Sequence, residues 1–244
     1  MSAACLYCGS SAAQVLAQFS RWSDCLYHCP CPGCVGLYLR HYEPTTPERL
    51  KRRMDAFLDV APLLAAETHP ERLPAWLAIP PNYTGEKSLI IAGATGSGKT
   101  RAAWFALQQS WVMFGRKFAP FTHAELSTKL AQGALQNYGR GADELVARCV
   151  SAPTLFIDDL GNGNADARVI DRLWEIIDRR YKTGAPILAT TQYSSEALGE
   201  KLGGIEKTAA LMRRIKNDGL MLVDPAYLAE AQKKRTTAKK EVLA

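Results

Sequence analysis

Ser88-Leu89-Ile90-Ile91-Ala92-Gly93-Ala94-Thr95-Gly96-Ser97-Gly98-Lys99-Thr100 is the stretch on which the fold turns. Its first five residues form a short apolar run, as a strand buried on both faces requires. Gly93 to Thr100 then fits G-x-x-x-x-G-K-T without a gap. Gly93, Gly96 and Gly98 permit backbone turns that a Cβ would block. The N–H groups of Ala94, Thr95, Ser97 and their neighbours can therefore converge on phosphate oxygens. Lys99 can reach the terminal phosphates of a nucleotide, and the Thr100 hydroxyl can ligate Mg2+. A helix is expected from about Thr100 to Phe114, with the positive end of its dipole at the phosphates.

Downstream, strand and helix patterns alternate. Strands are expected at Lys117 to Phe121, Thr154 to Asp158, Pro186 to Thr191 and Leu220 to Val223. Helices are expected at Ala124 to Leu130, Asp143 to Val150, Ala165 to Tyr181, Ser194 to Leu202 and Lys207 to Ile215. A Gly-rich connection is expected from Gly133 to Gly141. This alternation implies an α/β fold, a parallel sheet sandwiched between helices. Leu155-Phe156-Ile157-Asp158-Asp159 is an apolar strand ending in two carboxylates. Asp158 is placed to hold Mg2+, and Asp159 to polarise an attacking water. Thr190-Thr191-Gln192 ends the fourth strand, and Gln192 is the first choice for orienting that water. Arg213 and Arg214 follow, and spacing alone reads them as a basic helix surface.

The amino-terminal part differs in composition. Six of the seven cysteines, Cys5, Cys8, Cys25, Cys29, Cys31 and Cys34, lie at its start. In a reducing compartment such a cluster points to metal rather than to disulfides. Cys5-x-x-Cys8 is half of a tetrahedral Zn2+ site. Cys34 is the expected third ligand, and the fourth is Cys29 or Cys31. The Tyr27-His28-Cys29 segment also resembles the small phage transcription activators of the Ogr type. A unit this small depends on its metal to fold. With four protein ligands it keeps no open position, so it is expected to dock a partner rather than to catalyse.

The expected domains are a zinc-binding domain at 1–42, a helical linker at 43–84, the nucleotide-binding domain at 85–228 and a basic tail at 229–244. The linker contains a helix expected from Leu50 to Ala66. No run of about 18 apolar residues is present, so no membrane span is expected. The start does not read as a signal peptide, which makes the cytoplasm the expected location. The net charge of +6 is compatible with a nucleic-acid partner without requiring one.

Gly93 to Thr100, Leu155 to Gly161, Ile176-Ile177-Asp178-Arg179-Arg180-Tyr181 and Ala189 to Gln192 occur in an order and spacing that resemble AAA+ ATPases. The resemblance is to the DnaC/DnaI type, which load replicative helicases, and equally to the IstB type, which assist transposases. It spans about residues 85 to 225. It implies an AAA+ core of the P-loop NTPase class that binds ATP with Mg2+ and hydrolyses it between subunits of a homo-oligomer. It raises Arg214, or Arg213 beside it, to an arginine finger acting on the neighbouring subunit's ATP. It implies single-stranded DNA contact by the region Lys129 to Arg148, with Gln132, Asn137, Tyr138 and Arg140 within it. Arg179 and Arg180 are further candidates for DNA or subunit contact. Gln192 stands where the family usually has Asn. The DnaI branch carries an amino-terminal zinc unit that contacts the helicase, so the expected partner is a replicative helicase, with a transposase as the alternative. A third reading is an adaptor that ATP switches without appreciable turnover.

Overall fold

The computed structural model describes residues 47–61, 74–77, 79, 83–135, 139–163, 166–204, 208–209, 212 and 219–227. The zinc candidates Cys5, Cys8, Cys29, Cys31 and Cys34 lie outside these residues. So do Asn137, Tyr138, Arg213, Arg214 and the basic tail. Backbone proximity divides the chain into Met1–Ala56 and Phe57–Ala244. The sheet belongs wholly to the second unit.

Helix α1 spans Pro47–Leu58. Proline suits a first helical position, where no N–H is needed. The helix ends well before Ala66. The sequence carries Pro62 just beyond, which has no N–H for the Leu58 carbonyl, and helical geometry is disfavoured for a residue before proline.

Among the described residues, five parallel strands form one sheet: β1 (Leu89–Ala92), β2 (Phe118–Thr122), β3 (Thr154–Asp158), β4 (Ile187–Thr191) and β5 (Leu220–Val223). Their order across the sheet is β2-β3-β4-β1-β5. Strand β4 therefore separates β1 from β3, with Ile91 opposite Thr190, Ala92 opposite Thr191 and Ile157 opposite Ala189. Both faces are covered, as side-chain alternation along the strands shows. Leu155 and Ile157 of β3 join Ile187 and Ala189 of β4 in the core on one face. Phe156 points the other way and meets Trp104 edge-on at 5.4 Å between ring centroids.

Helix α2 (Lys99–Phe114) follows β1, and α3 (His123–Leu135) and α4 (Arg140–Ser151) link β2 to β3. Helix α5 (Ala167–Lys182) links β3 to β4, and α6 (Ser195–Lys201) follows β4. Helix α5 starts where the Asp166 side chain caps the Val169 N–H at 3.0 Å, and α6 where Ser194 caps Ala197 at 3.2 Å. Gly133 was expected in a loop but belongs to α3. A Cβ there would lie 2.6 Å from the Ala142 nitrogen, so glycine is what lets α3 and the start of α4 approach each other.

Arg180 corrects a third expectation. It is fully buried, with no surface to offer DNA or another subunit. Its guanidinium donates to the carbonyls of Cys149 at 2.6 Å, Ala152 at 2.8 Å and Pro186 at 2.6 Å. It thus ties the carboxyl end of α4 to the entry of β4. Burial lowers its pKa to about 10, where it remains a cation at neutral pH. Arg179, on the exposed side of α5, bonds Glu175 at 3.3 Å.

Candidate functional site

The carboxyl ends of β1, β3 and β4 open into one cleft of about 480 Å3, lined among others by Thr95, Lys99, Thr100, Asp159, Asn162 and Gln192. Open parallel sheets place ligands at this end. The loop after β1 has the conformation its glycines suggest. Gly96 and Gly98 have φ of 78° and 91°, in the left-handed region. A Cβ at Gly96 would meet nothing within 4 Å, so there the glycine serves backbone conformation rather than space. Gly98 directly precedes α2, and the Ala102 N–H bonds its carbonyl at 3.0 Å. The Ser97 hydroxyl is buried without a hydrogen-bond partner, a polar atom suited to a ligand of the loop.

Lys99 is buried, and its ammonium donates to the Ala94 carbonyl at 2.7 Å. Burial lowers its pKa, opposed by the carboxylates of Asp159, Asp158 and Asp224. Across the cleft, Asp158 Oδ1 accepts two hydroxyl protons, from Thr100 at 3.0 Å and from Thr190 at 2.5 Å. The Thr190 hydroxyl in turn accepts from the Asp159 N–H at 2.9 Å. Thr100 and Asp158 are thus side by side, a hard oxygen pair of the kind Mg2+ takes. The sequence reading passed over Thr190 in favour of Gln192. No local pattern marks Thr190, because its nearness to Asp158 follows from the pairing of β4 with β3.

Asp159 has φ of 52°, a left-handed conformation rare for a residue with a Cβ. Strain of this kind persists only where neighbours impose it. The Thr190 bond to its N–H and the Leu160 N–H bond to the Thr190 carbonyl, 2.8 Å, do so here. Burial raises the Asp159 pKa and the Asp158 charge raises it further, against a lowering by Lys99. A raised pKa makes this carboxylate a better proton acceptor. Gln192 stands opposite, its Oε1 accepting from the Thr95 hydroxyl at 2.5 Å.

His123 holds the loop behind Asp159. It is buried at the start of α3, and its Nδ1 accepts from the Gly161 N–H at 3.2 Å. Burial depresses its pKa from 6.5 to about 4. In the unfolded chain it binds its proton near the ordinary value, so between those two values the unfolded state holds more protons. Stability from this residue is complete above about pH 6.5, declines as pH falls and is gone below about pH 4, a loss on the order of 3 kcal/mol. His123→Gln, which keeps an acceptor but no titration, is expected to flatten that part of the stability profile in urea melts. An unchanged profile would disprove the assignment.

The basic stretch between β2 and β3 is only partly described. Lys129 pairs with Glu125 at 2.7 Å, and its ammonium stands 5.6 Å from the centroid of the Phe121 ring. Arg148, from α4, stands 5.7 Å from the same ring. Gln132 and Arg140 are exposed. Among the described residues no helix is long and apolar enough to cross a membrane.

Residues 70–223 match the model of a family described as IstB-like ATP binding protein. Among solved structures, the DnaC helicase loader is similar at 20% identity and a TM-score of 0.48, over 75% of this chain and 93% of that one. DnaI is similar at 21% identity and 0.45, over 76% and 89%. AMPPCP-bound DnaA from Aquifex aeolicus gives 17% and 0.45 over 56% of this chain, which spans only 40% of that protein. No curated protein sequence matches.

Proposed function

This chain belongs to the family of IstB-like ATP binding proteins, and from that premise we propose that it is an ATP-dependent loader of a replicative DNA helicase. It binds ATP with Mg2+ through Gly93 to Thr100 and Asp158, and assembles as a homo-oligomer on single-stranded DNA. The observation that carries the hydrolytic part is the shared oxygen Asp158 Oδ1, which brings Thr100, Thr190 and the backbone of Asp159 into one arrangement.

In this reading the loop N–H groups and Lys99 hold the phosphates. Thr100 and Asp158 would hold Mg2+, which neutralises phosphate charge when bound. Asp159 accepts a proton from the attacking water, and Gln192 orients that water. Arg214, with Arg213 as the alternative, reaches the ATP of the neighbouring subunit and stabilises charge on the transferred phosphoryl group. Lys129 and Arg148, flanking Phe121, support a contact with the DNA backbone.

The choice of a helicase as partner is supported by the amino-terminal cysteines. Cys5, Cys8, Cys34 and either Cys29 or Cys31 hold Zn2+ in a unit that docks the helicase. A second reading, an ATPase helper of a DNA transposase, is favoured by the family's description, which names IstB. Capture by the full chain distinguishes them. ATP-sensitive retention of a hexameric replicative helicase, lost in Cys5→Ser, is the expected result. Retention of a DDE transposase and no helicase would replace the loader reading with the helper one. Retention of the helicase by Cys5→Ser would remove the zinc unit from docking.

A further inference from the structure

We infer that Tyr193 is a positioning residue for ATP turnover, acting through the amide of Gln192; this rests on the hydrolytic reading given above. Four side chains form a hydrogen-bonded chain across the mouth of the cleft. The Thr95 hydroxyl donates to Gln192 Oε1 at 2.5 Å. Gln192 Nε2 donates to the Tyr193 hydroxyl at 3.2 Å, and that hydroxyl donates to Asn162 Oδ1 at 3.3 Å. Thr95 belongs to the phosphate loop, Gln192 and Tyr193 follow β4, and Asn162 lies just beyond Asp159. The chain therefore links the three segments that form the reacting end of the cleft, and Thr95, Gln192 and Asn162 all line it.

The terminal torsion of a glutamine is broad and roughly two-fold, so an unsupported amide presents its oxygen or its nitrogen to the cleft almost equally. The Thr95 and Tyr193 hydroxyls clamp the amide at both ends, and because the Tyr193 proton goes to Asn162 Oδ1, Nε2 is the end that faces Tyr193. One Nε2 hydrogen goes to Tyr193, and the other remains for an oxygen in the cleft. The tyrosine itself has little freedom. Its backbone N–H bonds the Thr191 hydroxyl at 3.1 Å, and the Lys201 ammonium stands 4.8 Å from its ring centroid. Its ring lies against Gly161, where a Cβ would come within 2.6 Å of Cδ2. Gly161 is also the residue whose N–H His123 accepts. The Tyr193 hydroxyl is thus a fixed point from which the Gln192 amide is held, while its ring packs on Gly161.

Tyr193→Phe removes the hydroxyl and keeps the ring packing. In steady-state ATP hydrolysis by the full chain with single-stranded DNA, this variant is expected to lose about tenfold in kcat, as the loss of one positioning hydrogen bond implies. KM for ATP and the melting temperature are expected to stay at wild-type values, which a purely structural role would not predict. In a Gln192→Ala background the same change is expected to have no further effect, because residues acting as a unit are not additive. An unchanged kcat, an equal loss in both backgrounds, or a fall in kcat that tracks a fall in melting temperature would each overturn the inference. Lys99→Ala and Asp159→Asn belong in the same assay. If both hydrolyse ATP like wild type, the hydrolytic reading fails and this inference with it. If both are inactive while Tyr193→Phe matches wild type, only the role of Tyr193 is lost.

Discussion

Asp159→Asn is expected to lower kcat for ATP hydrolysis by about a hundred- to ten-thousand-fold while changing ATP affinity only a few-fold. The size follows from the role proposed for Asp159, since a general base contributes about this much. The choice of asparagine follows from the backbone. Asp159 has φ of 52°, and Asn is among the residues that tolerate this region best, so the loop and its bond to Thr190 are retained. Alanine at the same position would confuse lost chemistry with an altered turn. The wild-type rate should also fall as pH is lowered, since the acceptor must be ionised. Its midpoint should lie above the ordinary aspartate value, because burial raises the Asp159 pKa. Single-turnover hydrolysis, with nucleotide binding measured separately, checks both points. Turnover by Asp159→Asn equal to a wild-type rate that is itself negligible would leave the adaptor reading, in which ATP switches assembly without appreciable turnover.

Arg180→Met should cost about 2–5 kcal/mol of stability, since each buried carbonyl left without its donor costs about 1–3 kcal/mol. The Cys149 and Ala152 carbonyls would lose this donor, and the Pro186 carbonyl would keep only the Leu155 N–H at 3.2 Å. Two of these residues lie at the carboxyl end of α4, where a cation also complements the helix dipole. Arg180→Lys should recover only part of the loss. One ammonium carries the charge but cannot span carbonyls from α4 and β4 as a planar fork does. Urea melts of the three proteins check this. A loss below about 1 kcal/mol in Arg180→Met would mean that water or a shifted neighbour satisfies the carbonyls.

The burial of Arg180 was legible in principle. Val169, Leu173, Ile176, Ile177 and Arg180 fall on one helical stripe, and all are buried. Its charge and its place beside Arg179 drew the reading toward the surface. Helical spacing outweighed side-chain type, because the carbonyl ends of a neighbouring helix supplied the partners that a buried cation needs. The opposite error occurred at Gly133. Glycine content suggested a loop, whereas the requirement was a helix crossing too close for a Cβ. The early end of α1 was a local matter that Pro62 already signalled.

Sequence by itself determined the five described strands and the phosphate loop. Apolar runs too short for helices set the strands, and glycines followed by Lys99 and Thr100 define a loop by local backbone freedom alone. Asp158 and Asp159 were equally legible, since they end an apolar strand. Only the tertiary structure decided what stands between these parts. The insertion of β4 between β1 and β3 is a pairing between segments far apart in the chain, which no local pattern encodes. That insertion places the Thr190 hydroxyl on Asp158, fixes the backbone of Asp159 and delivers Gln192 to Thr95. Hydrogen bonds of this kind depend on distances set by sheet order, so they became readable only once the strands were side by side.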